Sequence, residues 1–303
     1  MKNFFYLILC CLISATLLGS CQNKKTGPLT WSLKEGVLTI SGQGAMPNYE
    51  VAPWDEERNT ITKVIIGSGV ETIGDNAFKN CKRIYSVIYT LSAEGECAIR
   101  SIGNSAFEGC YSLASIYIPN NVTTLGRFAY AGCKKVTFVA FSEKMSVIPE
   151  SAFENCRNIE MLIIPDNIDS IQKNAFCGCR SLGAVLFGKN VGFIGDGAFR
   201  LCRRLSVIMC LNSVPPEIQG IEKKEFAFYD IWWVCKKENS MNTFESIFRF
   251  ANIYVPLKAI SDYKAANYWK TCTSFEELGD DLLGTYYWLN NENTTYIRNE
   301  STI

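Results

Sequence analysis

Six cysteines recur at almost constant spacing through the middle of the chain and constrain its fold more than any other feature. They lie 29, 23, 23, 23 and 23 residues apart, at Cys81, Cys110, Cys133, Cys156, Cys179 and Cys202. Each completes an Ala-aromatic-x-x-Cys segment, and the aromatic residues are Phe78, Phe107, Tyr130, Phe153, Phe176 and Phe199. A repeat of this length predicts a solenoid, in which each coil buries its apolar side chains only by stacking on its neighbours.

Two further apolar columns follow each cysteine and indicate one short strand per coil. Their members are two residues apart, as in Val87 and Tyr89 or Leu162 and Ile164, which is the side-chain period of a strand. We therefore expect an α/β repeat, a right-handed solenoid of parallel strands about 4.8 Å apart. Each Ala-aromatic-x-x-Cys segment is expected to form a short helical turn.

The cysteine column allows two interpretations. Alpha carbons about 5 Å apart lie within the range of a disulfide, so bonds between adjacent coils are sterically possible. The alternative, which the surrounding apolar columns favour, is a column of buried, reduced thiols that pack as small hydrophobic groups. No metal site is expected, because the pair Cys177 and Cys179 has no second ligand pair elsewhere.

The first residues have the pattern of an export signal. A short basic start precedes an apolar run of 15 residues, Phe4 to Leu18, which is too short to span a bilayer but fits a secretory signal. The run ends in Leu18-Gly19-Ser20-Cys21, which resembles the bacterial lipobox. That resemblance implies a signal peptide over residues 1–20, lipidation of Cys21 and a linker over residues 21–27. An outer-membrane anchor is expected, and Lys24-Lys25 leaves open whether the chain faces the surface or the periplasm.

The repeat unit from Ile102 to Pro119 resembles the BspA-type leucine-rich repeat. The resemblance covers residues 61–211 as six units of about 23 residues. It extends to a β-rich N-terminal cap over residues 28–60 and to a C-terminal capping region over residues 212–279, with a helix at 257–269. Residues 280–303 match no pattern. The resemblance implies a secreted or lipid-anchored bacterial protein that binds a protein or glycan in adhesion or host interaction.

Charge and composition exclude several other classes. Thirty basic and thirty acidic residues balance, so no global positive charge favours nucleic acid. The chain has no histidine, which removes Ser-His-Asp and Cys-His catalysis and His-ligated zinc. We therefore expect a non-catalytic binding protein without a cofactor. The alternatives are a structural envelope component or periplasm-facing assembly protein and, more remotely, a hydrolase built on the aromatic C-terminal region.

Strand residues that point outward form the first candidate binding surface. From the third unit onward many of them are large and apolar, and such a continuous patch usually marks an interface. We predict a docking surface for a partner protein formed by Phe138, Met161, Ile163, Leu186, Val207 and Met209. Two alternatives remain open: the aromatic segment around Trp232-Trp233 folds back over this face, or a second copy of the chain covers it.

A row of basic residues forms the second candidate surface. One position after the repeated cysteine, this basic stripe comprises Lys82, Lys134, Arg157, Arg180 and Arg203, interrupted by Tyr111. Like charges about 5 Å apart in water repel by about 0.8 kcal/mol per pair, and an anionic glycan or lipid headgroup would relieve this. The alternative is local: each cation follows a helical turn, whose carbonyl end favours positive charge.

Overall fold

The computed structural model describes residues 24–219, 251–266, 269, 272 and 274–279. They form a parallel-strand solenoid of about nine turns with little helix. No helix in these ranges has the length and apolar character needed to cross a membrane. The signal segment, residues 226–234 and the tail 280–303 lie outside the described residues.

Two walls of each coil are strands, which we number in chain order. The long sheet contains β1 (Lys24–Thr26), β2 (Leu29–Lys34), β3 (Val37–Gly42), β5 (Lys63–Ile66), β7 (Ser86–Tyr89), β9 (Ser115–Tyr117), β11 (Phe138–Ala140), β13 (Met161–Ile164), β15 (Ala184–Phe187), β17 (Val207–Cys210), β19 (Asn252–Val255) and β20 (Ser274–Glu277). The short-strand sheet contains β4 (Gly44–Ala45), β6 (Val70–Ile73), β8 (Ser101–Ile102), β10 (Thr124–Leu125), β12 (Val147–Ile148), β14 (Ser170–Ile171), β16 (Phe193–Ile194) and β18 (Glu217–Ile218).

The register of the long sheet follows the sequence repeat. Met161 pairs with Ala184 and Ala184 with Val207, so each strand is displaced from the next by one repeat. Hydrogen bonding is continuous in three sections, β1-β2-β3-β5-β7, β9-β11 and β13-β15-β17-β19-β20. The first interruption, between β7 and β9, coincides with the longer first interval of the repeat.

The third wall consists of turns, and the expected helical turns are not confirmed. Within each segment the cysteine N–H donates to the aromatic carbonyl three residues earlier, as from Cys81 to Phe78 at 3.1 Å. Positive φ occurs at the residue before the alanine and at the residue before the cysteine, such as Asn76 at 56° and Asn80 at 60°. Alternate N–H groups donate to the next coil instead, as from Phe78 to the Ala106 carbonyl at 2.7 Å. A helix needs those N–H groups for its own carbonyls, so coil stacking replaces it.

The core is one continuous cluster of apolar side chains running from the first coils to Trp269. At its centre the repeated aromatic rings stack along the solenoid, with adjacent centroids between 4.9 and 5.8 Å apart. Trp54 continues this stack at the N-terminal end, 5.5 Å from Phe78, and its Nε1 donates to the Ala77 carbonyl at 2.8 Å. The aromatic column of the sequence is therefore the solenoid's interior.

The repeated cysteines are free and buried in the structure. Five of them donate from Sγ to the carbonyl of the aromatic residue in the preceding coil, at distances of 3.2 to 3.5 Å: Cys110, Cys133, Cys156, Cys179 and Cys202. Each of these carbonyls also accepts the cysteine N–H of its own coil, so the thiol adds a second hydrogen bond that joins adjacent coils. This arrangement supports the interpretation of the column as reduced, tightly packed thiols.

Because these thiols are buried, the free energy of unfolding depends on pH in the alkaline range. Burial, with a smaller contribution from Asp55, raises the pKa of Cys81 to about 12, and burial raises the pKa values of Cys110, Cys133 and Cys179 well above the usual range. Unfolded thiols titrate near pH ~8.5, so only the unfolded chain releases these protons above that pH. The thiols therefore contribute fully to stability below that pH, and the free energy of unfolding falls as pH rises, by roughly 1 kcal/mol per thiol between pH 7.5 and 9.5.

This pH effect is measured by urea unfolding under reducing conditions at the two pH values. Cys110→Ala removes one such thiol, so its free energy of unfolding is expected to fall by roughly 1 kcal/mol less than that of the unsubstituted chain over the same interval. An equal loss in both proteins would show that Cys110 is not the buried, protonated group that the structure contains.

The two ends of the solenoid differ. At the N-terminal end, β2 and β3 form an antiparallel hairpin, and β3 joins β5 in parallel. Residues 24–26, expected in the linker, form β1 because they pair with Leu29, Thr30 and Trp31 of β2. At the other end, β19 and β20 extend the long sheet.

The expected helical C-terminal cap is not confirmed. The helix of the described C-terminal residues amounts to a 3-10 turn, Leu257–Ala259, and α1, Ile260–Ala265. Buried aromatic side chains close this end together with the added strands. Tyr263 and Trp269 contact each other at 5.1 Å, and Trp269 Nε1 donates to the Pro216 carbonyl at 2.9 Å.

Candidate functional site

The outward side chains of the long sheet form two columns along the solenoid. The pairing places Met161, Ala184 and Val207 in the first column and Ile163, Leu186 and Met209 in the second. Strand alternation sends the residues between them into the core, where Leu162, Val185 and Ile208 are buried. The predicted docking residues therefore share one face because each occupies the same position in its repeat.

The exposure of this face is uneven, and one predicted residue is not at the surface. Met161 is 42% exposed, while Phe138, Ile163, Val207 and Met209 are half-buried. Leu186 is only 3% exposed because it packs in a small cluster with Leu211 and Leu278. Leu186 is therefore corrected from a binding residue to a buried one.

Part of the face is thus covered by the chain's own residues, which the repeat pattern did not reveal. Leu278 follows β20, and its N–H donates to the Val255 carbonyl at 2.9 Å. Tyr254 of β19 packs against the same cluster and lies beside Met209. The strand β19 pairs with β17 although Asn252 follows Val207 by 45 positions rather than 23. The alternating residues Ile253-Tyr254-Val255 indicated a strand. Because this strand does not follow β17 by the repeat length, the sequence did not show which residues it pairs with.

Aromatic residues extend the face toward the N-terminal coils. The rings of Tyr117 and Phe138 are 5.6 Å apart and tilted by 49°. Tyr85, which precedes β7, is 54% exposed and was missed as a candidate. The sequence did contain an indication: at the same position of the repeat, the following coils carry the smaller or polar residues Ala114, Thr137 and Glu160.

The basic stripe runs along the turn wall, one residue per coil. Lys82, Arg180 and Arg203 are exposed, and Lys134 and Arg157 are half-buried. Tyr111 lies between two of the cations, with Lys134 Nζ 4.0 Å and Lys82 Nζ 5.6 Å from its ring centroid. The tyrosine that interrupts the sequence column therefore contacts both neighbouring lysines through cation–π interactions.

The short-strand sheet carries an open groove of about 620 Å³, whose polar groups are engaged within the protein. Asp75 Oδ1 accepts from the Asn104 backbone N–H at 2.6 Å, and Asn104 Oδ1 accepts from the Arg127 N–H at 2.9 Å. These side chains join adjacent coils rather than point free donors or acceptors at a ligand. Among the described residues no group of three or more Cys, Asp or Glu side chains has the arrangement of a metal site.

The fold and these surfaces define a class: a solenoid of short parallel strands whose side chains recur once per coil. The family model described as BspA type leucine rich repeat region matches in six copies over residues 56–97 and 98–232. The chain belongs to this family, whose members are often cell-surface proteins. This membership indicates a protein-binding or surface role.

Solved structures of similar proteins share low identity with the chain. A Treponema pallidum leucine-rich repeat protein is 20% identical, with 61% of this chain and 91% of that one aligned and a TM-score of 0.47. A Bacteroides ovatus leucine-rich repeat protein is 18% identical, covering 62% and 70%, with a TM-score of 0.40. A leucine-rich cell surface protein of Faecalibacterium prausnitzii is 16% identical, covering 63% and 95%, with a TM-score of 0.25. A comparison with curated protein sequences found no match.

Proposed function

We propose that the chain is a lipid-anchored, non-catalytic binding protein of the cell envelope, which recognises a partner protein through the outer face of its long sheet. The signal-like segment and the lipobox-like Leu18-Gly19-Ser20-Cys21 support export and anchoring at Cys21. Because β1 begins at Lys24, the first coil starts three residues after Cys21. The anchor would therefore hold the N-terminal coils close to the membrane and direct the remaining coils away from it.

One observation carries the proposed recognition: apolar side chains remain accessible on the outer face of regular, hydrogen-bonded strands. Met161 is 42% exposed, and Phe138 in the preceding coil and Val207 two coils further on are half-buried in the same column. Thioether, aryl and alkyl groups offer contact area but neither donors nor acceptors for sugar hydroxyls. This chemistry suits an apolar patch on another protein, since the cores of protein interfaces are enriched in such groups.

A non-catalytic role is supported by the chemistry of the same face. The strands β7, β9, β11, β13, β15 and β17 contribute no carboxylate to this face, and the chain has no histidine for acid–base work at neutral pH. Adhesion to host or neighbouring-cell proteins is the role that family membership favours, and it requires a surface-facing anchor.

The experiment compares two glutamate substitutions at sites of equal exposure on different walls. Met161 is 42% exposed on the long sheet and Val147 is 40% exposed on the short-strand sheet. A photo-crosslinking amino acid placed at position 161 on intact cells is expected to capture a discrete partner protein, and the same group at position 147 is not. Met161→Glu should weaken binding of the captured partner at least tenfold, because a carboxylate buried without a counter-charge is costly.

The matched substitution Val147→Glu should leave partner binding and the unfolding midpoint unchanged. Equal binding by both variants, with both folded, would remove the long sheet as the recognition surface. A captured partner that is retained by Met161→Glu but lost in Val147→Glu would move the site to the short-strand sheet.

A further inference from the structure

Four cations of the basic stripe, Lys82, Lys134, Arg157 and Arg180, form no ion pair with the described residues, whereas other cations of this protein do. Ion pairs at other positions of the repeat join adjacent coils, as between Lys79 and Glu108 at 2.9 Å and between Arg127 and Glu150 at 2.8 Å. Within the described residues no carboxylate lies within 4.0 Å of a charged nitrogen of Lys82, Lys134, Arg157 or Arg180. In the described part of the chain, four cations of one wall are therefore not neutralised by an ion pair.

The structure also removes the local explanation for these cations. A helical turn ahead of each would favour positive charge at its carbonyl end. The segments ahead of the stripe are instead turns with positive φ directly before the alanine and directly before the cysteine, and their alternate N–H groups bond to the next coil. Without a helix there is no aligned row of peptide dipoles to stabilise a cation after each cysteine.

Two of the cationic side chains are held in place, which favours binding over a mobile, solvated row. Lys134 is half-buried against the Tyr111 ring, with Nζ 4.0 Å from its centroid. The Nε of Arg157 is enclosed and has no hydrogen-bond partner among the residues that the structure describes. These two side chains are therefore already partly ordered in the free protein, which lowers the conformational entropy that a ligand must remove on binding.

We infer that the basic stripe binds a linear polyanionic glycan, bearing sulfate or carboxylate groups, along the axis of the solenoid. From Lys82 to Arg203 the stripe crosses six coils, a length of roughly 24 Å at a spacing of ~4.8 Å per coil. It is only one or two residues wide, with Arg83, Lys135 and Arg204 beside it. A narrow row of regularly spaced cations matches a thread of regularly spaced anions.

The same geometry disfavours the other polyanions. Single-stranded nucleic acid binding normally combines cations with open aromatic rings for base stacking. Tyr111, the aromatic residue of the stripe, already lies between Lys82 and Lys134. An anionic bilayer would require cations spread over a plane rather than aligned on one wall. This inference rests on a different wall from the proposed protein-binding face and is independent of it.

The test measures binding of a heparin octasaccharide to the full chain as a function of salt. Arg157→Gln with Arg180→Gln is expected to weaken binding about tenfold and to reduce the slope of log affinity against log salt by about two. The control, Lys34→Gln with Lys258→Gln, removes the same charge from exposed positions off the stripe and should change neither quantity. A desulfated, N-acetylated chain of equal length should bind at least tenfold more weakly than the octasaccharide.

Equal weakening by both double variants would show diffuse electrostatic attraction and overturn the site. Tighter binding to single-stranded DNA or to anionic phosphatidylglycerol vesicles than to the octasaccharide would overturn the assignment to a glycan. The partner-protein proposal is tested separately, because Met161→Glu should leave octasaccharide binding intact. The Arg157→Gln, Arg180→Gln variant should in turn keep the crosslink at position 161.

Discussion

Phe153→Ala is expected to lower the free energy of unfolding by about 3–5 kcal/mol. Phe153 is fully buried in the middle of the aromatic stack, 5.8 Å from the Tyr130 ring and 5.2 Å from the Phe176 ring. Phe141 also packs edge-on against it at 5.7 Å. Truncation leaves a cavity between two coils, and the neighbouring backbones cannot close it because their hydrogen bonds fix the coil spacing.

The position of this cavity adds a second, qualitative effect. In a solenoid each coil is stabilised by its neighbours, so loss of one central contact weakens the coupling between the two halves. Urea unfolding followed by circular dichroism is therefore expected to show a shallower or two-step transition for Phe153→Ala. Phe138→Ala serves as the control, since this side chain is half-buried on the outer face and its loss should cost less than about 1.5 kcal/mol. Equal losses for the two variants would contradict a continuous aromatic interior.

Gly126→Ala is expected to destabilise the chain by about 3 kcal/mol, or to prevent folding, because the new methyl group collides with backbone. A Cβ at Gly126 would lie 2.3 Å from the Gly103 carbonyl carbon and 2.4 Å from the Asn104 nitrogen. These atoms belong to the preceding coil, which the Gly126 N–H also contacts by donating to the Ile102 carbonyl at 2.7 Å. Relief of the collision would break this hydrogen bond.

Gly192→Ala provides the matched control for that substitution. Its Cβ would approach no atom closer than 3.8 Å, and its φ is not positive. Because alanine restricts the unfolded chain more than glycine does, Gly192→Ala should leave the free energy of unfolding unchanged or raise it by about 0.4–1 kcal/mol. Thermal unfolding of both variants distinguishes the outcomes: similar midpoints for the two would show that adjacent coils approach less closely at Gly126 than the structure indicates.

The two candidate surfaces were predictable to different degrees. The outward columns followed from strand alternation, so Met161 and Val207 were placed on one face by sequence periodicity alone. The burial of Leu186 was not predictable, because Leu278, which covers it, lies 92 residues further along the chain and outside the repeat. The basic stripe was visible as a column in the sequence. Its alternative explanation, that each cation is stabilised by the carbonyl end of a helical turn, required a helix. Only the hydrogen bonds between coils show that turns take the place of that helix.

The sequence by itself determined the repeat, the interior columns and the family, because in a solenoid each residue's environment is set by its position in the repeat and by neighbours one repeat away. Phe153 and Cys156 are buried for the same reason as their counterparts in every other coil. Tertiary structure alone decided what the repeat does not encode: that the turns bond to the next coil rather than to themselves, that β19 and β20 continue the sheet, and that Leu278 covers part of its outer face. These features depend on which donors and apolar groups meet after the chain has coiled, and no local pattern specifies that.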